Sequence, residues 1–261
     1  MKKSFELLKE IWAYREMIIM LVRRELRGRY KRSFLGFAWT FLNPLLQLGV
    51  YTMVFSVIMR AGIDKYYLFL FVALIPWLAM SSSLVGGATC ITANAGMVTK
   101  IYFPRQVLPI TVVTTNFVNM FLCMIVVLIV CAFSIGLNFS VLIYLIPTFM
   151  IEYILALGLA MIVAGITVYF RDMEHFLGIF VMAWQFLTPV MYSVDQVPDK
   201  IRPIYYMNPM TPVIISYRQI LYYKCAPDLS TMLSSLLMGC ASLILGWVIF
   251  SRLEKHFAEA L

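Results

Sequence analysis

The chain alternates between long apolar runs and shorter polar connections. Its apolar runs lie near 37–59, 67–91, 107–133, 141–170, 176–192 and 232–250. Crossing the hydrocarbon core of a bilayer takes roughly 20 helical residues, so these runs have the length of transmembrane helices. Backbone groups in lipid must be hydrogen-bonded internally, and the alternation typical of a β-barrel is absent. The pattern predicts an all-α integral membrane fold with about six transmembrane helices.

Two further segments are expected to lie against the membrane without crossing it. The apolar side chains of the first 22 residues share one helical face, which is typical of an amphipathic helix in the membrane interface. Residues 193–231 contain five prolines and five tyrosines, which disfavour a straight helix facing lipid. We expect short re-entrant helices there, on the outside. The alternative is a seventh span through 203–223, which would place the C-terminus outside.

The distribution of Lys and Arg predicts the orientation of the chain. Of the 21 Lys and Arg residues, fifteen lie in segments that share a side with the N-terminus, and ten of these are in the first 36 residues. The opposite side carries six. Because basic residues are enriched in cytoplasmic loops, both termini are expected in the cytoplasm.

Composition limits the classes of protein and the chemistry that the chain can support. Hydrophobic residues make up 62% of it and charged residues only 13%, against roughly 25% in soluble domains. The net charge of +8 sits mostly beside apolar spans, where anionic lipid and not nucleic acid is the expected partner. The five cysteines have no CxxC spacing, and no metal site is expected. Neither a phosphate-binding GxxxxGK[ST] motif nor a hydrolase motif occurs, so no catalytic residue is expected.

An apolar loop at 93–109 is the main candidate for a protein-binding surface. A short helix closed by Pro104 would carry apolar residues on one side and basic residues at its edge. The apolar set is Val98, Ile101 and Tyr102, and the basic pair is Lys100 and Arg105. Apolar surface on the water side of a membrane protein usually has a partner, although a plain connector is the alternative.

Glu152 is the only acidic residue deep within a predicted span. A charge at that depth costs on the order of 3 kcal/mol on insertion scales, so the side chain should face protein or water, or be protonated. Hydrogen bonding inside the helix bundle is the favoured interpretation. Proton-coupled transport is the alternative from another functional class.

Five stretches, in order and spread over nearly the whole chain, resemble the ABC-2 type permeases that export O-antigen, capsular polysaccharide or teichoic acid. They are LVRRELRGRYKRSFLGFAWTFLNPLL from Leu21, the loop NAGMVTKIYFPRQVLP, the run Tyr169–Tyr192 with YFRDMEHFLG and FLTPVMY, NPMTPVIISYRQIL from Asn208, and FSRLEKHF near the end. The resemblance implies the membrane subunit of an ABC exporter. Its substrate would be a polyprenyl-diphosphate-linked polysaccharide crossing the bacterial cytoplasmic (inner) membrane.

The resemblance also implies an organisation and a set of partners. Residues 1–261 would form one transmembrane domain, with a cytoplasmic interface segment at 1–36, a coupling loop at 96–105 and an outside gate segment at 193–231. Two copies would form a homodimer with two copies of a separate ATPase, which would use ATP and Mg²⁺, while this chain binds no cofactor. The open alternatives are an ABC-2 exporter of lipids or drugs and an ion- or proton-coupled secondary transporter.

Candidate site residues follow from the resemblance together with the residue patterns. The ATPase-coupling set is Met97, Val98, Lys100, Ile101, Tyr102, Phe103, Pro104 and Arg105, with Ile101, Tyr102 and Phe103 as apolar anchors. The candidates in the basic segment are Arg23, Arg24, Glu25, Arg29 and Tyr30. The alternative is that these basic residues only keep the segment on the cytoplasmic side of the membrane. The channel aromatics are Tyr51, Phe55, Trp184 and Phe186, for which lipid-facing or packing bulk is the alternative. Arg171 and Asp172 are the last candidates. They form either a turn that transmits motion or a simple ion pair at a helix end.

Overall fold

The computed structural model describes residues 9–30, 35–60 and 62–260, and within these residues the chain is helical without a β-strand. The predicted all-α fold is confirmed. In chain order the main helices are α1 Arg15–Tyr30, α2 Trp39–Thr52, α3 Tyr66–Thr89, α4 Ala95–Lys100, α5 Val107–Ser134, α6 Leu145–Thr167, α7 Met173–Leu187, α8 Arg202–Met207, α9 Met210–Leu221, α10 Leu229–Leu253 and α11 Phe257–Ala260. A one-turn helix at Phe139–Leu142 precedes α6. A π-helical turn at Met53–Ile58 continues α2.

Within the part of the chain that the structure describes, five helical segments are long and apolar enough to cross a bilayer. They are Gly36–Ile58, Tyr66–Thr89, Val107–Ser134, Phe139–Thr167 and Leu229–His256. The run predicted at 176–192 corresponds instead to the shorter α7, whose 15 residues span about 22 Å against roughly 30 Å of hydrocarbon. α7 ends because Thr188 is extended, the conformation that the residue before a proline favours.

The helices run between two ends of the bundle, which we name the terminal end and the loop end. At the terminal end, α1 packs along α5, and Arg105 donates a hydrogen bond to the Glu254 carbonyl. At the loop end, Lys65 donates to the Ser134 carbonyl, which joins the start of α3 to the end of α5. α1 and the C-terminal residues 254–260 therefore lie at the same end of the bundle.

Short helices occupy the loop end after α7. A one-turn helix at Val194–Gln196 precedes α8 and α9, and Asn208 separates these two helices with an extended backbone. The Asn208 side chain accepts a hydrogen bond from the backbone N–H of Met210, which fixes the start of α9. The 12 residues of α9 span about 18 Å, too short for a bilayer crossing. This geometry favours the expected short helices over a seventh span.

The centre of the bundle is α3, whose side chains from Leu68 to Ile75 are all buried. It packs against α2, α5, α6, α7 and α9. α6 and α10 form the most extensive helix pair, and small residues let their backbones approach closely. α2 and α7 instead expose apolar faces, including Val50 and Phe186.

Candidate functional site

Three segments of the chain converge at the terminal end: α1, the loop that contains α4, and the C-terminal residues 254–260. Arg24 donates Nη2 to Oδ1 of Asn94 at 3.1 Å, which joins α1 to this loop. Arg105 donates Nη1 to the carbonyl oxygen of Glu254 at 2.9 Å, which joins the other side of the loop to the C-terminal segment. The loop is therefore held by parts of the chain that are distant in sequence.

The loop that contains α4 divides its apolar residues between two faces. Val98 and Phe103 are only 4% and 5% exposed and pack in a cluster with Phe257. Ile101 and Tyr102 are 59% and 83% exposed. α4 ends before Ile101, whose backbone is extended. The predicted orientations of Val98 and Phe103 as outward-facing residues are therefore wrong.

The remaining residues of the predicted coupling set differ in their exposure to solvent. Met97 is half-buried against the same cluster, and Pro104 is buried. Lys100 is exposed at the end of α4, as the prediction placed it. Arg105 is half-buried and engaged with the C-terminal segment, so its position at an exposed rim is also wrong. Ile101, Tyr102 and Lys100 are thus the accessible members of the set.

Basic side chains line a recess on the outer side of α1, with a volume of about 520 Å³. Its lining is Met20, Arg23, Arg24, Arg27 and Gly28. Leu21 and Val22 on the same helix are buried, while Arg23 and Arg27 are exposed on its other side and Arg24 reaches the loop at Asn94. Glu25 is half-buried, and the side chains of Arg29 and Tyr30 lie outside the described residues.

The predicted channel aromatics fall into two groups, one on each of two helices. Tyr51 and Phe55 lie on α2 and its π-helical continuation, and Trp184 and Phe186 lie on α7. Phe55 stacks on Tyr66, with ring centroids 6.3 Å apart. Trp184 meets Trp77 edge-on at 5.4 Å. Phe55 and Trp184 therefore contribute to packing within the chain, while Phe186 is exposed.

Glu152 is completely buried on α6 and faces protein. Its Oε2 accepts a hydrogen bond of 2.8 Å from the hydroxyl of Tyr217 on α9. Its Oε1 has no hydrogen-bond partner among the described residues. This arrangement ties α6 to α9, which is the hydrogen-bonding role that sequence reasoning favoured.

Arg218 is a buried cation that sequence reasoning missed as a functional candidate. It donates to the carbonyl oxygens of Pro189 and Val190, both at 2.6 Å. Its guanidinium carbon lies 3.5 Å from the centre of the Phe69 ring. Burial lowers the pKa of Arg218 to about 9, which leaves it protonated at neutral pH. Arg218, which lies on α9, therefore holds the non-helical backbone that follows α7 close to α9 and α3.

The signal for Arg218 was one Arg within the apolar stretch VIISYRQIL. A buried charge must find partners, but only the fold shows that they are carbonyl groups.

Arg171 and Asp172 lie exposed in the turn between α6 and α7, where the backbone carbonyl of Asp172 accepts a hydrogen bond from the backbone N–H of Phe176.

Apolar helices of spanning length, a loop that presents apolar residues at the terminal end and a segment of short helices at the loop end together describe a multispanning membrane protein. The chain belongs to the ABC-2 type transporter family, whose model matches residues 16–222.

The chain is also similar in sequence to particular curated proteins. The O-antigen export system permease RfbA of Myxococcus xanthus is 36% identical over 98% of this chain and 99% of its own length. RfbA of Klebsiella pneumoniae is 32% identical over 94% of this chain and 95% of its own length. The polysialic acid transport protein KpsM of Escherichia coli is 24% identical over 74% of this chain and 76% of its own length.

Proposed function

We propose that this chain is the membrane subunit of an ABC exporter that moves a polysaccharide, carried on polyprenyl diphosphate, across the bacterial cytoplasmic membrane. The observation that carries the proposal is similarity along almost the entire chain to permeases named for O-antigen export. The relative named for polysialic acid transport also handles a glycan. The ABC-2 family match supports the role of a transporter subunit. In the proposed exporter a separate ATPase, which uses ATP and Mg²⁺, hydrolyses the ATP.

The loop that contains α4 is the proposed docking surface for that ATPase. Ile101 and Tyr102 are its exposed apolar anchors, and Lys100 lies at its rim. Binding energy at interfaces concentrates in a few apolar or aromatic side chains that become buried, so two such exposed residues on this loop suit a docking surface. The hydrogen bond between Arg105 and Glu254 supports transmission of a push on the loop to α10 and α5.

The proposed orientation places the terminal end in the cytoplasm and the loop end outside. Its support is the excess of Lys and Arg, fifteen against six, in segments on the side of the N-terminus. Residues 193–231 then form the outside gate segment, residues 1–36 the cytoplasmic interface segment and residues 96–105 the coupling loop. Arg218 would hold the gate segment in place through the carbonyl groups that follow α7.

Two copies of the chain would enclose the transport path. The exposed apolar faces of α2 and α7 support this arrangement, because they carry large side chains that packing within the chain does not cover. Phe186 and Tyr51 lie on these two helices. Aromatic rings at such positions would offer flat surfaces to the C–H faces of sugars.

Deletion of the gene for this chain in its native host tests the proposed function. Surface glycan should disappear and lipid-linked glycan should accumulate inside the cell, because synthesis continues without export. Expression of the parental chain from a plasmid should restore the surface glycan. A deletion strain with normal surface glycan and no internal accumulation would contradict the proposal and favour an exporter of lipids or drugs.

A further inference from the structure

A recess of about 230 Å³ lies between α2, α3 and α5 and contains an unusual group of polar side chains. Its amide side chains are Asn43, Gln47, Asn116 and Asn119, and we name it the amide recess. Thr40 and Ser82 also line it, and Trp39 stands at one side. Among the described residues that line it there is no Lys, Arg, Asp or Glu.

The amide recess lies within the membrane-spanning part of the bundle. Its four amide residues stand roughly 7 to 12 residues from the terminal end of their spans, which is about 10–18 Å along a helix axis. This depth is inside the hydrocarbon core, where polar side chains are costly and mark pathways or binding sites. Apolar residues would fill the same space at lower cost.

One amide oxygen of the recess is unsatisfied within the described part of the chain. Oδ1 of Asn119 is buried without a hydrogen-bond partner among the described residues. The neighbouring Asn116 is engaged, since it donates Nδ2 to the Ser83 hydroxyl at a long 3.4 Å. Buried polar atoms are normally paired, so an unpaired amide oxygen at the wall of a recess indicates a ligand with hydrogen-bond donors.

The lining defines the chemistry of that ligand. Amides both donate and accept hydrogen bonds, which matches sugar hydroxyl groups, and the Trp39 ring can pack on an apolar C–H face. A diphosphate would find no cation among the described lining residues to balance its charge. The volume is below the roughly 300–1,000 Å³ of common ligand pockets, so the recess suits a single ring and not a chain.

We propose that the amide recess binds one uncharged sugar residue of the transported glycan. This inference rests on the proposed function, because it takes the ligand from the exported polysaccharide. Asn119 and Gln47 are its hydrogen-bonding residues, and Trp39 is its stacking surface.

Protection from thiol labelling tests the proposal in the full permease–ATPase complex. Ser82→Cys places an exposed thiol in the recess, in a background where Cys225 and Cys240 are changed to Ser and Cys123, which itself lines the recess, is changed to Ala. Ile129→Cys, exposed on α5 outside the recess, is the matched control. The probes are the host's own lipid-linked glycan and the polyprenyl diphosphate carrier without glycan, each added before N-ethylmaleimide.

The glycan-bearing lipid should protect Ser82→Cys and leave Ile129→Cys reactive, while the bare carrier protects neither. Asn119→Leu or Gln47→Leu should raise the glycan concentration needed for half protection by on the order of tenfold, the loss of one hydrogen bond of ordinary strength. Equal protection by the bare carrier, or no protection by either probe, would overturn the sugar site. The gene deletion described above tests export itself, so normal glycan export with an unprotected Ser82→Cys would reject the recess alone.

Discussion

The crossing of α6 and α10 gives the most quantitative prediction, through Gly158→Ala. A Cβ atom on Gly158 would lie 2.3 Å from the backbone carbonyl carbon of Ser242 and 2.4 Å from the backbone nitrogen of Leu243. Non-bonded carbon atoms settle at roughly 3.5–4.0 Å. The two helices would therefore have to separate by about 1 Å or more, because backbone atoms have no rotamer by which to move aside.

The expected cost lies at the upper end of the range for overpacking, about 3 kcal/mol. The exchange of Gly for Ala in a helix returns about 1 kcal/mol, because Gly loses more backbone entropy on folding. The net loss of unfolding free energy is then about 2 kcal/mol. A Cβ atom added at Gly49 or Gly178 would have no neighbouring atom within 4 Å, so the Ala variants at these positions should be neutral or slightly stabilised.

Denaturant unfolding of the purified chain in detergent, followed by tryptophan fluorescence, measures the difference between the variants. Gly158→Ala should unfold at clearly lower denaturant than Gly49→Ala and Gly178→Ala, with surface glycan reduced in the host. Equal unfolding midpoints for the three variants would refute the close backbone approach of α6 and α10.

Three further predictions concern the mechanism. Glu152→Gln should leave export near the parental level, because the amide oxygen still accepts the tyrosine hydroxyl bond; lost export from a stable, ATPase-associated variant would indicate proton coupling. Tyr102→Ala should weaken the binding of the ATPase by about 2 kcal/mol, because Tyr102 is the proposed central anchor, and less ATPase should co-purify with the permease. Lys100→Ala should retain the ATPase, and equal retention by the two variants would reject the docking surface. A cysteine at Asp199 should react with an impermeant reagent from outside and one at Glu259 should not; the reverse pattern would overturn the orientation.

The apolar runs were sufficient to locate the long helices, because length and hydropathy alone decide whether a segment can span lipid. The run at 176–192 was overestimated, since composition does not register that Thr188 must leave the helix before Pro189. The short helices after α7 were predicted for the same kind of reason, because prolines at close spacing exclude a long helix.

Local sequence patterns could not predict which side chains of the loop that contains α4 turn inward, or which polar residues of the spans are buried together. Phe103 is apolar like Tyr102, and only the position of Phe257 from the other end of the chain decides which ring turns inward. The amide recess gathers residues from three helices that are far apart in sequence, so no window along the chain reveals it. Family resemblance identified the transporter class without indicating either feature.

Transport by the purified permease and its ATPase in proteoliposomes tests the proposed exporter most directly. The measurement is movement of lipid-linked glycan across the bilayer with ATP, without ATP, and with ATP plus a protonophore. Movement that requires ATP and is unaffected by the protonophore is the predicted result. Movement that persists without ATP and collapses with the protonophore would contradict an ABC exporter and establish an ion-coupled transporter in its place.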